Sequence, residues 1–243
     1  MVQATVEELG IFLMKNYAFI FVRGGSKGLP GKNIKSLAGK PLLKYSIDIA
    51  KECSSISKIF VSTDDSNIAE VAIAAGAELI ERPADLATDT SAEWYSWRHA
   101  INWVQDKYGD FDHFVSLPAT SPLRSVGDVE SSLIRLEEDS ADICISVTPA
   151  NRSPFFNMVT RTGLGTVELV NKPEGEVSRR QDAPEVFDIT TVVYTTKPEF
   201  VLEHYGIFSG KVTSIEVPKH RAIDIDDIYD FKLAEAIVMG NEE

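Results

Sequence analysis

The chain has 243 residues, 44% of them apolar, and a formal net charge of −13 from 24 Lys plus Arg against 37 Asp plus Glu. That length and apolar content support one full core, while the acidity disfavours nucleic acid as a partner, since a phosphate backbone draws on clustered Lys and Arg. No apolar run is long enough to span a bilayer, and Cys53 and Cys144, too few and too far apart for a metal knuckle or a disulfide framework, read as free core thiols of a reducing cytoplasm.

Residues 1–17 form an N-terminal extension, in which Glu7 and Glu8 precede a short apolar patch. This pattern predicts a short amphipathic helix without signal-peptide features. The apolar run Ala18–Val22 then reads as a buried strand, and it opens directly into Arg23-Gly24-Gly25-Ser26-Lys27-Gly28-Leu29-Pro30-Gly31-Lys32-Asn33. A strand that ends in a glycine-rich basic loop is a phosphate site. The glycines let backbone amides approach anionic oxygens, Arg23 offers a planar fork and Lys32 a point charge. Neither the P-loop nor the dinucleotide fingerprint fits this spacing. Arg23, Lys27, Lys32, Lys35, Lys40 and Lys44 fall in one acid-free stretch. A basic island in an acidic protein suits a small anionic ligand, although Lys35 to Lys44 read equally well as a solvated helix face.

Further strands are predicted at Ile59–Ser62, Glu78–Ile80, Phe114–Leu117 and Ile143–Val147, with helical periodicity in most of the gaps. One helix starts near Ser66, capped by Asp65 or Ser66, and another near Asp128 after Gly127. Strands alternating with helices imply a largely parallel sheet, which binds ligands beyond the carboxyl ends of its strands. That rule gathers Arg23, Asp64 and the segment Thr120–Arg124 around one crevice. Between 150 and 185 the rhythm breaks: Phe155–Val159 and Thr166–Val170 flank Thr162-Gly163-Leu164-Gly165 as a hairpin, and a polar segment follows, an insertion rather than a second domain. The sheet resumes at Ile189–Tyr194 and Thr213–Val217, and Asp227 opens a final helix to about Val238.

Asp224 and Asp226 flank one apolar residue, so an extended backbone projects both to one side. Two carboxylates on one face, completed by waters and substrate phosphates, suit Mg²⁺ or another divalent cation. Acids that favour a helix N-terminus are the competing explanation. His99, His113, His204 and His220 show no metal-ligand spacing, Trp94 and Trp97 share a helical face typical of a core or an interface, and no Ser-His-Asp or Cys-His arrangement is legible.

Taken together, the glycine loop, Val61-Ser62-Thr63-Asp64, the segment Arg82–Ser91, Thr120-Ser121-Pro122-Leu123-Arg124, Arg179-Arg180-Gln181-Asp182 and Asp224-Ile225-Asp226 resemble, in order, the motifs of the CMP-sialic acid synthetases, the acylneuraminate or nonulosonate cytidylyltransferases. The resemblance spans nearly all of residues 18–238. It implies a three-layer Rossmann-like nucleotidyltransferase fold with a mainly parallel sheet, residues 18–243 as a single domain, and 150–185 as a small β-hairpin arm for a homodimer in the cytoplasm. It further implies transfer of CMP from CTP to the anomeric hydroxyl of a 2-keto-3-deoxy sugar acid, with release of pyrophosphate and no membrane or nucleic acid partner. By match to the motifs, Arg23, Gly24, Gly25, Ser26, Lys32, Asn33, Arg82 and Ser91 form the nucleotide site. Thr120, Ser121, Arg180 and Tyr194 face the sugar, Asp224 and Asp226 hold the metal, and Arg23, Lys32, Arg180 and Asp226 serve catalysis. The acceptor proton goes to Asp226 or to hydroxide on the metal. A sugar-1-phosphate nucleotidyltransferase, an eight-carbon (Kdo-type) acid cytidylyltransferase and a non-catalytic nucleotide-binding protein are the competing readings.

Three departures from the sialic-acid pattern stand out. Pro118 replaces a Gln, Thr190-Thr191 replaces an Asn-Gly, and Glu93 replaces a pocket serine. With Ser153-Pro154-Phe155-Phe156-Asn157, these changes point toward a legionaminic-type acceptor, with Phe155 and Phe156 adding apolar surface to its pocket.

Overall fold

The structure, a computed structural model, describes residues 5, 7, 10–163, 165–172 and 179–240. In chain order the regular elements are β1 (Asn16–Phe21), β2 (Ser36–Leu37), β3 (Lys40–Pro41), α1 (Leu42–Glu52), β4 (Ile56–Thr63), α2 (Ser66–Ala74), β5 (Glu78–Glu81), α3 (Glu93–Tyr108), β6 (His113–Ser116) and α4 (Val126–Glu138). They continue with β7 (Ile143–Pro149), β8 (Val159–Arg161), β9 (Val167–Leu169), β10 (Phe187–Thr196), α5 (Pro198–Glu203), β11 (Val212–Glu216) and α6 (Ile228–Gly240). Seven strands make the central sheet in the order β11-β7-β10-β6-β1-β4-β5. Its neighbours pair in parallel except for β10, which runs antiparallel to both β6 and β7.

The residues of β1 are buried on both faces because helices cover both sides of the sheet, which is why the strand reads as a continuous apolar run. Alternate side chains serve the two cores. Ala18 and Ile20 join Leu43 and Ile47 of α1, Ala72 of α2 and Leu133 of α4. Phe19 joins Trp97 and Ile101 of α3 and Phe200 of α5. The outcome is the expected three layers with a mainly parallel sheet. A third cluster, Leu37, Leu42, Ile225, Phe231 and Ala234, holds α6 against the small β2–β3 ribbon, and this places the Asp224–Asp226 segment beside the opening loop.

Several sequence expectations need correction. The extension is not a helix through residue 17: its described part carries a single 3-10 turn, Ile11–Leu13, and β1 already begins at Asn16. Asn16 is drawn into the sheet because its amide donates to the carbonyls of Ile11 and Ser55 while its Oδ1 meets His113. Helix α4 starts before Gly127, at Val126, because Ser125 and Asp128 form a reciprocal capping box. Asp65 caps α2, accepting from the amides of Asn67 and Ile68. The strand expected at Ile189–Tyr194 is longer at both ends, β10 running from Phe187 to Thr196. The insertion does hold a hairpin, β8 paired with β9, but Phe155 and Phe156 sit in a turn closed by Ser153 rather than in a strand, and Leu164 lies outside the described residues.

Candidate active site

The crevice lies where the parallel strands end, as their direction requires. Phe21 closes β1 and the chain turns at Arg23 into the glycine loop. Its hold is local at first: the amide of Gly24 donates to Asp64 Oδ1 (3.2 Å) and Asn33 Nδ2 donates to the Arg23 carbonyl (3.0 Å). Gly24 passes so close to α2 that a Cβ would lie 2.6 Å from Asp65 Oδ2, and Gly28 passes so close to the C-terminal segment that a Cβ would lie 2.3 Å from the Asp226 carbonyl oxygen. Lys32, almost wholly buried, bridges the same gap. Its ammonium donates to the Ile225 carbonyl and lies 3.6 Å from Asp226 Oδ1. The opening loop and the late Asp224-Ile225-Asp226 segment are therefore one surface, and the backbone amide of Ile225 also donates to the Thr120 carbonyl at 2.9 Å.

These contacts frame a basin of about 410 Å³, with Arg23, Ser26, Lys32, Asn33, Thr120 and Asp226 on its walls. Asp226 points to solvent with 81% of its side chain exposed, whereas Asp224 is half-buried and its Oδ1 is enclosed with no hydrogen-bond partner among the described residues. Burial pushes the Asp224 carboxyl above the ordinary range, the Thr120 and Thr191 hydroxyls pull it back, and Asp226 raises it again. Asp230 turns back onto the backbone. Its carboxylate accepts from the amides of Asp226 and Asp227 and so starts α6, where Asp227 in turn accepts from Tyr229 and Asp230.

Residues 17–207 match the family model described as Cytidylyltransferase. The chain belongs to the cytidylyltransferase family. Among curated relatives it is 31% identical to post-translational flagellin modification protein B of Campylobacter coli and 32% identical to the CMP-N,N'-diacetyllegionaminic acid synthase of Campylobacter jejuni. Each alignment covers 90% of this chain and 93% of the relative. In fold it is similar to a solved CMP:2-keto-3-deoxy-manno-octonic acid synthetase complexed with CTP, at a TM-score of 0.70 and 16% identity, over 94% of this chain and 100% of the other.

In this cytidylyltransferase the remaining site residues fall into three places. Arg82, nearly buried, leans on β4: its Nε and Nη2 donate to the Ser62 hydroxyl (3.2 Å) and carbonyl (2.8 Å), and it stacks over Phe21 at 5.6 Å. Ser91 and Arg82 line a smaller cavity of about 190 Å³ that shares Phe21 and Arg23 with the basin. Ser121 is fully buried, and its hydroxyl meets that of Thr191 at 2.7 Å. Tyr194 packs 5.8 Å from Trp97, and its hydroxyl is pushed up to about 12 by burial and by the charges of Glu93 and Asp224.

Arg180 is the residue that the fold does not bring to the basin. It is exposed in a 3-10 turn, Arg180–Asp182, donates to the Ala150 carbonyl at 2.7 Å, and lines a separate cavity at the base of the insertion with Arg152, Gln181 and Pro184. Phe155 and Phe156 likewise belong to the insertion, away from the walls of the basin and of its smaller neighbour.

Sequence reasoning assigned no role of their own to three contributors. Asp89 forms an ion pair with Arg23 at 2.6 Å and another with Lys27, so one carboxylate rests on two cations of the glycine loop. Arg124, fully buried, donates to the carbonyls of Val192 (2.7 Å) and Pro118 (2.6 Å) and to the Ser46 hydroxyl (2.5 Å). Burial brings it down to about 9, still charged at neutral pH, and it ties the Thr120–Ser121 turn to β10. Thr191 reaches the site because the register of β10 on β7 shifts between Thr190 and Tyr194. The Ser146 hydroxyl supports the shift by donating to the Thr190 and Val193 carbonyls. Only the motif membership of Asp89 and Arg124 signalled them in advance.

Proposed function

We propose that the protein transfers CMP from CTP to the anomeric hydroxyl of a nonulosonic, sialic-acid-like sugar acid and releases pyrophosphate. The observation that carries this reading is the locking of the glycine loop onto the Asp224–Asp226 segment, which brings Arg23, Lys32 and the carboxylate of Asp226 to one basin. The acceptor oxygen attacks the α-phosphorus, the bond to the bridging oxygen breaks, and negative charge grows on the departing pyrophosphate. Arg23, Lys32 and the loop amides stabilise that charge because they are fixed before the reaction begins. The incoming triphosphate takes the place of Asp89 on Arg23 and Lys27. Asp226, exposed at the basin, accepts the proton of the acceptor hydroxyl.

Asp224 and Asp226 suit a divalent cation such as Mg²⁺, because the enclosed Asp224 Oδ1 has no partner and the carboxyl is held above its ordinary range by burial and a neighbouring acid. Such an ion, when bound, supplies neutralisation of phosphate charge. The legionaminic relative and the substitutions at Pro118 and Thr190-Thr191 favour a legionaminic-type acceptor over neuraminate.

The arm of residues 150–185 presents Met158, Val159, Val167 and Val170 to solvent, an apolar face that suits a homodimer contact, and Arg180 travels with that arm. Two buried free thiols suit a reducing cytoplasm, and among the described residues no helix is long and apolar enough to cross a membrane. The test is pyrophosphate release from CTP and Mg²⁺ with a panel of legionaminate, N-acetylneuraminate and an eight-carbon keto-acid. Release with UTP and a sugar-1-phosphate, and none with this panel, would refute the proposal.

A further inference from the structure

The cavity beside the phosphate basin holds two opposite charges that do not satisfy each other. Arg82 spends Nε and one amino group on Ser62, and its Nη1 takes no protein acceptor among the described residues. Glu93, the first residue of α3, accepts from Trp97 Nε1 at 2.9 Å through Oε1, and its Oε2 takes no donor among the described residues. The two side chains feel each other's charge without a hydrogen bond between them. Glu93 is an exposed residue on the cavity wall, and desolvation of its carboxyl pushes it above the ordinary range. Phe21, Leu86 and Ser96 also line this cavity.

A nucleotide whose phosphates lie along the glycine loop has its base next door, because the two cavities share Phe21 and Arg23. The Watson–Crick edge of cytosine presents two acceptors and then an amino donor, whereas uracil presents a carbonyl oxygen where that amino group stands. A carboxylate is a natural acceptor for the cytosine amino group. We propose that Glu93 reads this amino group while Arg82 donates to the ring acceptors, so that Glu93 sets the preference for cytosine over uracil. The inference rests on the cytidyl-transfer reading and adds the residue that enforces it. A carboxylate facing a uracil carbonyl leaves two acceptors opposed and unpaired, which is why one side chain suffices for strong discrimination.

The experiment measures binding of CTP and UTP to the full chain by titration calorimetry, without acceptor, for the wild type and Glu93→Gln. Glutamine keeps the shape and the acceptor for Trp97 but offers uracil a donor. The CTP-to-UTP affinity ratio is expected to fall by about 10- to 100-fold, the range for a hydrogen bond to a charged group. A companion measurement needs no mutation: the wild type should bind the triphosphate of the 4-deaminated pyrimidinone riboside weaker than CTP by a similar factor. An unchanged ratio in a variant with wild-type melting behaviour, or equal binding of CTP and the deaminated analogue, overturns the role of Glu93. A wild type that binds CTP no better than UTP also overturns it, whereas one that binds no nucleotide overturns the cytidyl-transfer reading itself.

Discussion

Gly28→Ala tests the contact that joins the two halves of the site. The backbone of Gly28 does not have a positive φ, so alanine brings no conformational strain of its own and only the added methyl acts. That methyl would lie 2.3 Å from the Asp226 carbonyl oxygen, and ordinary contact begins at 3.4 Å, so loop and segment must separate by about 1.1 Å. The obstacle is backbone, held by the bond from Ile225 to Thr120, and it cannot swing aside as a side chain would. Overpacking of this kind costs about 1–3 kcal/mol, which at about 2–4 °C per kcal/mol for a chain of this size lowers the melting temperature by several degrees. The larger effect falls on turnover, because a misplacement near 1 Å costs about 100-fold when it moves phosphate donors relative to carboxylates. Gly240→Ala is the control, since a methyl at that end of α6 meets nothing within 4 Å and the residue lines neither cavity of the site. Pyrophosphate release with saturating CTP, beside melts of both variants, gives the answer. If Gly28→Ala keeps wild-type kcat/KM, the two segments do not form one working surface.

Further expected outcomes concern single residues. Arg23→Ala should fold normally and lose about 100- to 1,000-fold in turnover, read by single-turnover kinetics, as removal of one preorganised donor does. Near-normal rates would place the phosphates elsewhere. Asp224→Asn should abolish the metal requirement together with activity while leaving the melting temperature unchanged or higher, because it removes a buried charge whose Oδ1 lacks a partner. A loss of stability would mark the acid as structural. Legionaminate should show a higher kcat/KM than N-acetylneuraminate, and the reverse order would mean that Pro118 and Thr190-Thr191 do not shape the acceptor pocket. Burial pushes Cys53 up and Cys144 to about 12, so neither thiol should be alkylated at pH 8 until denaturant is added, as mass spectrometry would show.

The place of the glycine-rich loop on the wall of the basin was legible because everything it needs is local: an apolar strand, then glycines and basic residues within eleven positions. The three layers were legible for the same reason, since the burial of β1 on both faces writes itself as an unbroken apolar run. The direction of β10 was not, because a strand antiparallel to its neighbours carries the same apolar pattern as a parallel one. The shift that delivers Thr191 depends on the Ser146 hydroxyl some 44 positions earlier, which no window of sequence contains. The same holds for Lys32: its charge was visible, but its engagement with Ile225 and Asp226 was not, and Arg180 looked like a site residue although its own chain carries it elsewhere.

The bond from Lys32 to the Ile225 carbonyl joins residues 193 positions apart. At a synthesis rate of about 5–20 residues per second, roughly 10–40 s separate the emergence of the glycine loop from that of the segment on which it rests. During that interval the first strand and its loop exist without the surface that fixes them, so a nascent chain has the phosphate amides but not their alignment. Closing so long a loop adds little thermodynamic penalty, since each doubling of length costs only about 0.6 kcal/mol. The delay is one of timing. Tight CTP binding therefore reports that translation has passed Asp226, and a ribosome-bound chain stalled before that point should not retain the nucleotide.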